Sequence, residues 1–88
     1  MITFYKTSKY DRERDKYVKN NSTRAEQLIK ALQLLSTDPQ SPGLNVEKIS
    51  KDMYTLRINK GDRLFFMWID KETILLLDIG EHDKYRRH

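Results

Sequence analysis

The sequence contains no cysteine. Disulfides and thiolate metal sites are thereby excluded, and the cytoplasm is the simplest home for such a chain. It has two histidines, and one of them, His88, is the last residue. A metal site needs three or four ligands, so no metal and no metal cofactor is expected. There is no apolar run near the ~20 residues of a membrane span, and none before a small-residue cleavage site at the N-terminus. No membrane partner is expected. There is no internal repeat and no low-complexity tract. With 88 residues, the chain reads as one small domain, residues 1–88. A chain of this size buries roughly 60% of its unfolded surface, which leaves no room for a deep cofactor cavity.

What the chain does have is charge. Charged residues make up 34% of it, the net charge is +4 and the pI is near 9.4. A basic balance suits an anionic partner such as nucleic acid or an acidic protein. A solvated surface of mixed charge gives the same numbers.

The pattern of apolar residues predicts an α+β fold. Ile2-Thr3-Phe4-Tyr5-Lys6 is β-branched and aromatic, as a first strand would be. Tyr10, Arg14, Tyr17 and Val18 fall on one stripe of a helix over residues 9–19. A second helix is expected over residues 24–35, opened by a capping box of Thr23 and Glu26, with Ala25, Leu28, Ile29, Leu32 and Leu35 as its buried face. Asp38-Pro39-Gln40-Ser41-Pro42-Gly43 ends that helix. The remainder reads as strands over 46–49, 53–59, 63–69 and 74–79, joined by tight turns into an antiparallel meander. The third of these is almost wholly apolar and should be central. The expectation is a two-helix hairpin packed on a sheet of four to five strands, antiparallel except at the first strand.

The candidate site residues lie in the second half. Arg57 and Arg63 sit on neighbouring strands, and arginine's planar fork is well matched to phosphate. A two-residue loop after Asn59 would place Arg57 opposite Leu64, with the two arginines on opposite faces. A three-residue loop would place Arg57 opposite Phe65, with both on one face. Glu47 is a carboxylate just ahead of the hairpin, suited to accept a proton. An unperturbed histidine titrates near neutrality, which would suit His82 for proton donation to a leaving oxygen. Tyr85 can stack on a base, and Arg86 and Arg87 add phosphate affinity. Lys48, Lys51 and Lys84 are further candidates for contact with an RNA backbone. Taken singly, each residue favours the ordinary reading, a surface ion pair or a solvated terminus.

Together, Tyr54-Thr55-Leu56-Arg57-Ile58, Asp62-Arg63-Leu64-Phe65-Phe66 and Ile79-Gly80-Glu81-His82-Asp83-Lys84-Tyr85, behind a strand and two helices, resemble the RelE/ParE superfamily of toxins from type II toxin–antitoxin systems. Within it the closest likeness is to the RelE and YoeB type of mRNA interferase. The resemblance implies a ribosome-dependent, metal-independent endoribonuclease needing no cofactor. It implies catalytic roles for Glu47, Arg57, Arg63, His82 and Tyr85. Its implied partners are an acidic cognate antitoxin and mRNA on the ribosome, with the chain a monomer alone or part of a larger antitoxin complex. Tyr85 stands three residues past His82, whereas YoeB-type members have the tyrosine adjacent and RelE has it six further on. RelE's paired lysines before the turn are replaced here by Tyr54 and Leu56. The superfamily also contains ParE-type gyrase inhibitors of the same fold, and members without catalytic activity, so fold alone leaves these alternatives open.

Overall fold

A computed structural model of the chain describes residues 2–81 and Lys84. Five strands and two helices follow one another as β1 (Thr3–Lys6), α1 (Ser8–Val18), α2 (Ser22–Thr37), β2 (Glu47–Lys48), β3 (Tyr54–Arg57), β4 (Asp62–Asp70) and β5 (Thr73–Glu81), with a 3-10 turn at Pro42–Leu44. The sheet order is β1-β5-β4-β3-β2. β1 runs parallel to β5, and the other pairs are antiparallel. This is the α+β arrangement expected, with β4 at the centre.

Local chemistry sets the helix ends. The Thr7 hydroxyl accepts a hydrogen bond from the Tyr10 amide and donates to the Leu76 carbonyl, both at 3.0 Å, so it caps α1 and ties it to β5. Asn20 takes a left-handed conformation at φ 54° and breaks the chain between the helices. The Asn21 side chain then accepts from the Arg24 amide at 3.0 Å. The cap of α2 is therefore Asn21 and not Thr23, which lies within the first turn. At the other end Pro39 forces Asp38 out of the helical region, and the Asp38 amide closes on the Leu34 carbonyl.

The core lies between the helices and one face of the sheet. Tyr10, Tyr17, Leu28, Ala31, Leu35, Leu44, Leu56, Leu64, Phe66, Ile74, Leu76 and Ile79 form it. The buried stripe of α2 is narrower than expected. Ala31 belongs to it, while Ile29 is 55% exposed, because one step past Leu28 turns about 100° away.

The β3–β4 register is neither of the two expected. Asn59, Lys60 and Gly61 form the loop, and the Ile58 amide bonds the Asp62 carbonyl at 3.1 Å. Arg57 therefore stands directly opposite Arg63. The cause is Asn59. Its side-chain oxygen accepts from the amides of Gly61 and Asp62, each at 3.0 Å, an Asx-type turn that takes Asn59 out of the strand.

Candidate functional site

Directly opposite residues in an antiparallel pair project to the same face. Leu56, Leu64 and Ile79 make one such row toward the helices. The adjoining rows point the other way. Glu47 lies opposite Thr55, Thr55 opposite Phe65, and Phe65 opposite Asp78. Arg57 lies opposite Arg63, and Arg63 opposite Gly80. Glu47, Arg57 and Arg63 thus share the face turned away from the helices, on three adjacent strands. Strand spacing and rise put the backbone of Glu47 about 8 Å from Arg57 and about 12 Å from Arg63. Long acidic and basic side chains can meet one phosphodiester across that span.

The two arginines differ in setting. Arg57 is exposed at the sheet edge and borders a shallow cleft with Gln27, Lys30 and Leu44. Arg63 is 6% exposed, and its Nη1 donates to the Asp62 carbonyl at 3.5 Å. Glu47 is exposed on the two-residue edge strand.

The candidate lysines separate. Lys48 lies opposite Tyr54, on the other face from Glu47, with its ammonium 5.9 Å from the Tyr54 ring centroid. Lys51 is exposed in the β2–β3 loop, which the Ile49 amide closes on the Met53 carbonyl. Lys84 is engaged with acids and not with open solvent alone. Its Nζ donates to Asp78 Oδ1 at 2.9 Å, to Glu13 Oε1 at 3.2 Å and to the Ile79 carbonyl at 3.2 Å. His82, Tyr85, Arg86 and Arg87 lie outside the described residues.

Two polar groupings were not anticipated from sequence. The first is Asp78, a fully buried carboxylate whose Oδ2 meets Lys9 Nζ at 3.3 Å and whose Oδ1 meets Lys84. Burial alone would lower the Lys84 pKa, but the hydrogen bonds to Asp78 and Glu13 prevail and raise it. The same bond from Lys84 lowers the pKa of Glu13. An acid inside the apolar strand Ile74–Ile79, with a lysine soon after, was the available signal. The second grouping anchors the β3–β4 turn. The Tyr17 hydroxyl donates to Asp62 Oδ2 at 2.7 Å, and the Asn59 amide donates to Tyr17, Gln27 and Asp62 at 2.9–3.1 Å. The Arg24 guanidinium stacks 4.6 Å from the Tyr17 ring centroid. Burial, then the bond to Asp62, raises the Tyr17 pKa well above its ordinary value. Nothing in the sequence marks Tyr17 and Gln27 as partners of Asn59 and Asp62, since the bonded pairs lie 32 to 45 residues apart across helix and turn.

A cleft of about 430 Å³ joins the two groupings, lined by Glu13, Tyr17, Arg24, Asp62, Gly80 and Lys84 among others. Among the described residues no three histidines or acids converge as a metal site would require, and no helix is long and apolar enough to cross a membrane.

The sequence matches no family model and no curated protein. The structure does have counterparts. It superposes on the DinJ–YafQ complex from E. coli with a TM-score of 0.77 at 11% identity, covering 99% of this chain and 100% of that one. For the YoeB–YefM complex from Staphylococcus aureus the TM-score is 0.73 at 16% identity, with 93% and 98% covered. For a YoeB/ParE toxin from Agrobacterium tumefaciens it is 0.76 at 9% identity, with 92% and 99% covered. At such identities the likeness is one of fold: the chain has the RelE-like fold that its sequence led us to expect.

Proposed function

We propose that this chain is the toxin of a type II toxin–antitoxin pair and acts as a metal-independent endoribonuclease on mRNA engaged by the ribosome. The observation that carries the proposal is the placing of Glu47, Arg57 and Arg63 on one sheet face, on three neighbouring strands. Solved relatives by fold include YafQ and YoeB, each also found in complex with a partner, DinJ or YefM. An acidic antitoxin suits the net charge of +4.

In this reading Glu47 accepts the proton of a 2′-hydroxyl, and the oxygen attacks the adjacent phosphorus. The bond to the 5′-oxygen breaks, and that oxygen takes a proton from His82. The products are a 2′,3′-cyclic phosphate and a free 5′-hydroxyl. Arg63, with Arg57, neutralises the charge that builds on the phosphoryl oxygens. Tyr85 stacks on a base or steadies the phosphate, and Lys51, Arg86 and Arg87 hold the RNA backbone. Lys48 and Lys84 stand apart from that role, one over Tyr54 and the other bound to acids. The ribosome supplies the in-line geometry, so the isolated protein cleaves free RNA poorly.

The test is primer extension on a translated message. Arg63→Ala should slow cleavage by ~10²–10³, and Glu47→Ala and His82→Ala each by ~10²–10⁴. Cleavage that survives all three substitutions would sink the proposal. Supercoiling defects with intact messages would assign the chain to gyrase inhibition instead.

A further inference from the structure

We infer that Asn59 is a positioning residue for the arginine pair: its side chain, held from both helices, fixes the turn end of the β3–β4 hairpin, where Arg57 and Arg63 stand face to face. The inference rests on the proposed ribonuclease reading only for its catalytic consequence. The positioning itself is a matter of backbone geometry.

The arginine rung is one that needs holding. The Ile58 amide bonds the Asp62 carbonyl, and bonded and unbonded rungs alternate along an antiparallel ladder. Arg57 and Arg63 therefore meet across an unbonded rung, where Cα atoms approach to about 4.5 Å. Like charges directly opposite each other destabilise a strand pair. Among the described residues neither guanidinium is ion-paired, and that of buried Arg63 has the 3.5 Å bond to the Asp62 carbonyl and no other.

The core fixes the hairpin firmly only up to the neighbouring rung. Leu56 and Leu64 are fully buried there, so a slip would turn apolar side chains out to water. Past them burial fades: Ile58 is half-buried, and its partner Asp62 is charged. A three-residue hairpin loop ordinarily closes on a residue in the left-handed conformation. Residues 59–61 include none, not even at Gly61. Asn59 does the closing instead, its one side-chain oxygen accepting from the Gly61 and Asp62 amides.

The helices decide which way round the Asn59 amide sits. Its Nδ2 faces three acceptors: the Tyr17 hydroxyl of α1, Gln27 Oε1 of α2 and Asp62 Oδ2. Reversal would set an oxygen against the Asp62 carboxylate and N–H groups against the backbone N–H groups of the turn. The helix hairpin thus aims the Asn59 oxygen, and through it the two arginines.

Proton NMR reads the rung without any need for nuclease activity. Hα atoms lie close across an unbonded rung, so the parent should show a strong Hα–Hα cross-peak between Arg57 and Arg63. Thr55 and Phe65 form the next unbonded pair inward and serve as control. Asn59→Ala should weaken the arginine peak about threefold or more relative to the control peak, because the acceptor that closes the turn is gone. Asn59→Ser keeps a short acceptor that makes such turns more weakly, and should fall between. If Asn59→Ala does not fold, Asn59→Ser decides. A parental ratio of the two peaks in the folded variant, or equal loss at both pairs, would overturn the inference. In the translated-message assay Asn59→Ala should lower kcat by about 10–10² with KM little changed, since every charge remains and only its placing is lost. Asn59→Ser should recover part of that loss. Parental kcat in a variant that has lost the arginine peak would overturn the catalytic consequence. Should the parent chain cleave no message at all, the ribonuclease reading fails while the cross-peaks still judge the positioning.

Discussion

Tyr17 shows how a single side chain links the helices to the candidate site. Its hydroxyl donates to Asp62, whose neighbour is Arg63, and its ring carries the Arg24 guanidinium. Burial and the acid partner favour the neutral phenol, so its pKa is raised above the 10.0 of a free tyrosine. The unfolded chain therefore loses this proton first as pH rises. Stability from the group is complete below about pH 10 and is lost as pH climbs from there through the higher folded value. Buried Tyr10 and the ion-paired Lys84 are raised too and act in the same direction. Tyr17→Phe should cost about 1 kcal/mol at neutral pH, with Asn59 and Asp62 still bonded to each other. It should also flatten the alkaline fall of Tm, measured by thermal melts across pH 8 to about 11.

At the scale of elements, Asn21→Ala removes the cap of α2 and should cost about 1 kcal/mol. In a chain this short that is about 4–8 °C of Tm by calorimetry. The helices and strands were legible in sequence because burial leaves a pattern of apolar residues: spaced Leu28 and Leu35 for a helix, the unbroken run Leu64-Phe65-Phe66 for the central strand. What was not legible is where one element hands over to the next. Thr23 had the better capping-box signature, but Asn20 bends the chain first and Asn21 takes the cap. Asn59 fits a strand pattern, yet its side chain folds back on two amides and shifts the register of both arginines. Local hydrogen bonding by asparagine decides both cases, and hydropathy does not record it. The sequence singled out Glu47, Arg57 and Arg63 but left open whether the arginines share a face, which the Asn59 turn decides. It did not single out Asp78, because strand periodicity marks its position as outward and the sequence does not show that Lys9 of α1 and Lys84 meet its carboxylate.

At the scale of the whole molecule, the sheet is built from both ends of the sequence. β1 pairs with β5 alone, and half-buried Phe4 packs on the core from that edge. Phe4→Ala should lower stability by about 1.5–3 kcal/mol. Ile29→Ala, on the exposed side of α2, should change it by less than about 0.5 kcal/mol. Chemical denaturation of the two variants checks the contrast. The β1–β5 pairing also imposes an order in time. Synthesis delivers β1 first and its partner last of the five strands, so the first strand waits, edge unfilled, until nearly everything else has emerged. Glu47 and the arginines are present well before that moment but have no complete sheet to hold them in place. A chain still being translated therefore has no finished sheet, and if the proposed activity is right, a ribosome making this protein is spared by its own unfinished product.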